Sequence, residues 1–72
     1  MTNTLQIEIT LNGTSRHIAN KTTIVDLLSQ LGFGDKKIAV EVNENIIPRS
    51  QHLSYAVQAG DRIEIVHAVG GG

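Results

Sequence analysis

Three consecutive glycines, Gly70, Gly71 and Gly72, stand at the end of the sequence and leave one functional group there, the carboxylate of Gly72. Glycine has no Cβ and the widest backbone freedom. A triglycine segment therefore fits a slot too narrow for other residues. A carboxylate is a poor electrophile, but adenylation by ATP gives its carbon a good leaving group, AMP, which a sulfur nucleophile could displace. A run of small residues is also what a frayed chain end looks like. The glycines alone leave both readings open. The apolar run Ile63-Glu64-Ile65-Val66 lies just ahead of them, so the tail springs from a strand.

Other residues offer less chemistry. His17, His52 and His67 are far apart and lack the local spacing of metal ligands. His67 reads as a strand residue facing solvent or a partner, and His17 as an exposed sheet residue. The chain has no cysteine, which excludes disulfides, thiolate metal sites and a cysteine nucleophile within it. No Ser/His/Asp or paired-carboxylate spacing supports an autonomous active site. Gly13, Gly32 and Gly60 read as turn glycines, because no glycine-rich loop precedes the helix. Pro48-Arg49 reads as a rigid turn followed by a fixed positive charge.

The elements that must hold the tail are legible from periodicity. Leu5, Ile7, Ile9 and Leu11 alternate with polar residues, the mark of a half-buried strand. Asn12-Gly13 is a hairpin signal, leading into a second strand over 14–19 whose one large apolar residue is Ile18. Thr23 with Asp26 predicts a capping box. Ile24, Leu27, Leu28 and Leu31 follow as the buried stripe of a helix, with Gly32 at its C-terminal cap. Ile38, Val40 and Val42 predict a third strand. Ile46-Ile47 predicts a short edge strand ended by Pro48. Residues 50–59 are ambiguous and loop-like, with room for one helical turn. A last strand over 62–68 puts Ile63 and Ile65 on one parity. Glu8, Glu41 and Glu64 share the outward parity of three strands, and Val66 and Ala68 share that of Glu64. The outer face thus reads as solvated or acidic and turns apolar towards the tail, which suits protein docking.

Seventy-two residues make one domain with one core. Phe33 and Tyr55 are the only aromatics. A net charge of −1 gives no footprint for nucleic acid. Neither a signal peptide nor a membrane-spanning stretch is expected. A single helix cannot cover both faces of a sheet, so the order of elements predicts an α+β fold with one face open.

Together these residues resemble a known family. The block Gly60-Asp61-Arg62-Ile63-Glu64-Ile65-Val66-His67-Ala68-Val69-Gly70-Gly71-Gly72 is similar to the end of the thiamine-biosynthesis sulfur-carrier proteins, the ThiS family. So are Val42-Asn43-Glu44-Asn45-Ile46-Ile47-Pro48-Arg49, the opening Leu11-Asn12-Gly13 and the capped helix from Thr22 to Leu28. A diglycine end is common to all ubiquitin-like carriers; the combination with Ile-Ile-Pro-Arg and Ile-Glu-Ile-Val-His is more specific. His52 departs from the family pattern, where a bulky aromatic is expected.

The resemblance implies a ubiquitin-like β-grasp domain over 1–68, a mixed sheet with one main helix on one face, and a flexible glycine tail over 69–72. It implies a cytoplasmic sulfur carrier that is a co-substrate and not an enzyme. Gly72 would carry the sulfur, Gly70 and Gly71 would thread into the partner, and Val66, Ala68 and Val69 would dock. The implied partners are an E1-like adenylyltransferase of the ThiF type, a thiazole synthase of the ThiG type and a sulfur-donating desulfurase system. ATP and Mg²⁺ would belong to the adenylating partner, with no cofactor or metal held by this chain. A molybdopterin-type carrier and a protein modifier joined to lysine through Gly72 share the fold and the tail. The molybdopterin carriers typically approach the tail with aromatic and proline residues, where this chain has Val66-His67-Ala68-Val69.

Overall fold

The computed structural model describes residues 5–33 and 37–67. Gln6–Leu11 (β1) and Thr14–Ala19 (β2) pair antiparallel, from Gln6 opposite Ala19 to Leu11 opposite Thr14. Asn12 and Gly13 between them have φ of +48° and +85°. Positive φ at both central residues matches the twist of a two-residue hairpin. Leu5 does not join the buried side that its alternation predicts. It precedes β1 and is 65% exposed, although its carbonyl accepts the Asn20 N–H at 2.7 Å.

The helix α1, Ile24–Gln30, begins with the capping box: Thr23 Oγ1 accepts the Asp26 N–H, and the Asp26 carboxylate accepts the Thr23 N–H. A helix start leaves its first N–H groups without intrahelical partners. Here Ile24 donates to the Tyr55 carbonyl at 3.0 Å and Val25 to the His52 carbonyl at 3.1 Å. The segment after Pro48 is thereby tied to the start of the helix, and its Val57 is buried. At the other end Gly32 (φ +84°) donates to Ser29 at 3.1 Å, and Phe33 donates to Leu28 at 2.9 Å. This is a Schellman cap, which favours glycine at its left-handed position.

Ile38–Val42 (β3) and Asn45–Ile46 (β4) form a second hairpin. The edge strand lies one residue earlier than Ile46-Ile47 predicts. Asn43 and Glu44 alone make the turn, with φ of +51° and +73°, so pairing resumes at Asn45. Ile47 turns into the core, while its N–H still reaches the Val40 carbonyl at 2.9 Å. A 3₁₀ turn, Arg49–Gln51, follows Pro48 and begins one residue ahead of the ambiguous stretch. Arg62–His67 is β5; Ala68, the expected end of that strand, lies outside the described residues.

The sheet order is β2-β1-β5-β3-β4, with β1 and β5 parallel and the other neighbours antiparallel. Ile9, Leu11, Val40, Val42, Ile63 and Ile65 face α1 and bury against Ile24, Leu27 and Leu28. Burying each such side chain is worth about 1.5–3 kcal/mol before entropic costs. The result is the β-grasp arrangement: one helix across one face of a mixed sheet, the other face open. No described helix is long and apolar enough to cross a membrane.

Candidate functional site

The strand that leads to the glycines is the middle one. At its start β5 lies between β1 and β3, with Arg62 opposite Thr10 and Ile63 opposite Leu11. There β1 ends in its hairpin turn, but β5 runs on to His67. Glu64, Ile65, Val66 and His67 pair with Glu41, Val40, Ala39 and Ile38 of β3. The end of β5 therefore projects past the first hairpin.

Two asparagine side chains steady β5, Asn12 in its projecting part and Asn43 at its start. Asn12 Oδ1 accepts the Ile65 N–H at 2.8 Å, continuing the β1–β5 ladder beyond the end of β1. Asn43 Oδ1 accepts the Arg62 N–H at 2.9 Å, while its amide donates to Asp61 Oδ1 at 3.0 Å. Asp61 is buried, and its other oxygen accepts the Gln58 N–H at 2.8 Å. A buried carboxylate needs such donors. Asn12 and Asn43 both sit at positive φ in hairpin turns, where asparagine is better tolerated than most residues. The same two residues shape the turns and satisfy β5. The sequence signals their turns but not these bonds, because the partners are backbone groups distant in sequence.

The register fixes the open face. Glu8, Thr10, Ala39, Glu41, Ile46, Arg62, Glu64 and Val66 fall on the side away from α1. Glu41 and Glu64 stand directly opposite each other. Glu8, Glu41 and Glu64 thus share one face, as their parity predicts, and the Glu8 carboxylate accepts the Ser15 hydroxyl. A shallow depression of about 230 Å³ lies here, lined by Thr10, Glu41, Glu44, Arg62 and Glu64 among others. Arg62 and Glu44 approach to 3.7 Å across it, an exposed pair of small energetic worth. Towards the end of β5 the face becomes apolar, where Val66 is 52% exposed and neighbours exposed Ala39; exposed Ile46 lies at the sheet edge on the rung of Glu64 and Glu41. The acidic patch and the apolar pair meet near the end of β5.

The other predicted site residues divide clearly. Val66 is placed on the open face, while Ala68, Val69, Gly70, Gly71 and Gly72 lie outside the described residues. His67 is exposed, on the helix side of β5, and its ring stands edge-on to Phe33. His17 is exposed opposite Glu8. His52 is buried, with Nε2 at 3.0 Å from the Ile47 carbonyl. It fills the position where an aromatic is expected by pairing its polar edge with backbone. Among the described residues, no three histidine, aspartate or glutamate side chains converge to hold a metal.

The ThiS family model matches residues 9–72. The sulfur carrier protein ThiS of Escherichia coli is 32% identical over 66 residues, covering 92% of this chain and 100% of that protein. A thiazole synthase of Paramagnetospirillum magneticum is 39% identical over 66 residues, again 92% of this chain. The chain spans 20% of that synthase's length. A crystal structure of the thiamine biosynthesis protein ThiS from Geobacter metallireducens superposes with a TM-score of 0.80 at 28% identity, covering 92% of this chain and all of that one. Overall fold and sequence agree, and the chain belongs to the ThiS family of sulfur carrier proteins of thiamine biosynthesis.

Proposed function

We propose that this chain carries sulfur on the carboxyl group of Gly72 for assembly of the thiazole ring of thiamine. A ThiF-type adenylating enzyme, using its own ATP and Mg²⁺, joins a Gly72 carboxylate oxygen to the α-phosphorus of ATP and releases pyrophosphate. A sulfur nucleophile supplied by a desulfurase system attacks the acyl carbon, and AMP leaves with its electron pair. Where that nucleophile is a persulfide, its attack forms an acyl disulfide, and a thiol reductant then cleaves the S–S bond, giving two electrons and leaving a thiocarboxylate in which one oxygen has been replaced by sulfur. A ThiG-type thiazole synthase then takes the sulfur. The chain is a co-substrate in this cycle, working in the cytoplasm.

The observation that carries this reading is the family match, which continues from β5 to residue 72. The fold supplies the physical rationale. A 69–72 tail growing from a projecting strand can enter a partner's site while the sheet stays outside. Gly70 and Gly71 have no side chains to obstruct that passage, and binding inside the partner shields the activated carbonyl from water. Exposed Val66, with Ala68 and Val69 beyond it, offers apolar contact at the site mouth. The occurrence of a domain like this one within a thiazole synthase supports the choice of acceptor.

The test supplies the purified, sulfur-loaded chain to a thiazole synthase with its other substrates and follows labelled sulfur. Label in the thiazole product is the expected result. Label accepted by a molybdopterin-forming enzyme instead, or adducts between the chain and lysine amines, would replace this reading.

A further inference from the structure

The sequence has two aromatic residues, and one of them, Phe33, follows directly on the helix cap. Its ring meets that of His67 edge-on, with centroids 5.5 Å apart and planes inclined at 61°. Aromatic pairs favour this T-shaped arrangement. Phe33 is itself well held: its N–H closes the Schellman cap on Leu28, and its side chain packs partly buried against the core. His67 is in the opposite situation. It occupies the last rung of the β3–β5 ladder, opposite Ile38, beyond the point where β1 has turned away. Strand ends with few neighbours open readily. A ring contact fixed to the helix end opposes that opening where the tail begins.

We propose that His67 is a positioning residue: gripped by Phe33, it holds in place the end of β5, from which the sequence continues towards the glycines. The carboxylate of Gly72 is then offered to the adenylating partner from a stiff root. The proposal rests on the reading of the tail as the reactive end. The edge contact needs a ring at position 67, so phenylalanine serves there and alanine does not.

Two measurements test this. In the first, backbone order parameters from nitrogen relaxation are compared in the isolated chain. Phe33→Ala and His67→Ala each lower the values at Val66 and His67, the double variant lowers them no further, and His67→Phe keeps them at the wild-type level. Unchanged order in His67→Ala overturns the proposal, whatever the partner does. Should Phe33→Ala fail to fold, the exposed position 67 still gives the comparison through its Ala and Phe variants.

The second is pyrophosphate exchange by the adenylating enzyme. His67→Ala raises the KM for the carrier by about 2- to 10-fold, the factor that one aromatic edge contact is worth, with kcat unchanged and His67→Phe restoring KM. A KM equal to wild type in His67→Ala overturns the positioning role. Absence of exchange with the wild-type chain would refute the tail chemistry; the stiff root would then stand or fall on the relaxation data.

Discussion

Replacing Asn12 isolates the bond that steadies the projecting half of β5. Asn12 Oδ1 accepts the Ile65 N–H at 2.8 Å in a partly buried setting, and the residue also sits at φ +48°. Alanine would mix two effects, because it both removes the acceptor and fits the left-handed turn poorly. Glycine removes the acceptor and tolerates the turn. Aspartate keeps an oxygen where the amide oxygen was. Leaving a buried donor unsatisfied costs about 1–3 kcal/mol, and partial access of water at Ile65 favours the lower half of that range. Asn12→Gly is therefore expected to be less stable than Asn12→Asp by about 1–2 kcal/mol. In a domain of this size each kcal/mol moves Tm by about 4–8 °C. Thermal melting gives the global difference, and amide hydrogen exchange at Ile65 gives the local one. Exchange at Ile65 should accelerate in the glycine variant and stay slow in the aspartate variant. Equal melting temperatures, or unaltered Ile65 exchange in Asn12→Gly, would refute the assignment of this side chain to β5.

Other perturbations separate core, cap and surface. Leu28 is 6% exposed beneath the sheet, so Leu28→Ala should cost about 2–5 kcal/mol in denaturant unfolding. Thr23→Ala removes half of the capping box and should cost about 1 kcal/mol, measured in the same way. Val66→Asp, on the open face, should leave Tm within a few degrees while weakening the complex with the adenylating enzyme in a direct binding assay. Gly71→Leu should leave the fold intact and block thiocarboxylate formation, since a branched side chain cannot pass where a glycine does.

Local interactions made much of the fold readable beforehand. Asn12-Gly13, the Thr23–Asp26 box and the stripe Ile24, Leu27, Leu28 act within a few residues, and each forms as its local chemistry dictates. The edge strand shifted by one residue because Asn43-Glu44 closes the turn in two residues where the run of polar side chains allowed three. Leu5 fits the alternation but comes before the ladder that would bury it. The support for β5 was hidden for another reason. Asn12 and Ile65 are 53 positions apart, and the acceptor serves a backbone group that any residue at position 65 would present. Burial of His52 was hidden likewise, because its partner is the Ile47 carbonyl. The tail is the reverse case: the glycine run is plain in the sequence, and what the structure contributes is the strand that precedes it.

Under the proposed function, the sheet holds β5 and the tail that follows it is what the partners act on. The buried core keeps β5 in place, and in that function neither it nor the acidic patch has a part in bond making. Activity should thus follow the state of the C-terminal carboxyl group and of the partner's nucleotide site, with substitutions elsewhere acting through stability or docking.

Intact-mass spectrometry of the chain after incubation with an adenylating enzyme, ATP, Mg²⁺ and a sulfur source tests the central claim most directly. Replacement of one oxygen by sulfur at Gly72 should raise the mass by about 16 Da, localised to the last residue by fragmentation. An unchanged mass while the enzyme thiocarboxylates a known carrier in parallel, or a native chain that continues beyond Gly72 without trimming, would contradict it.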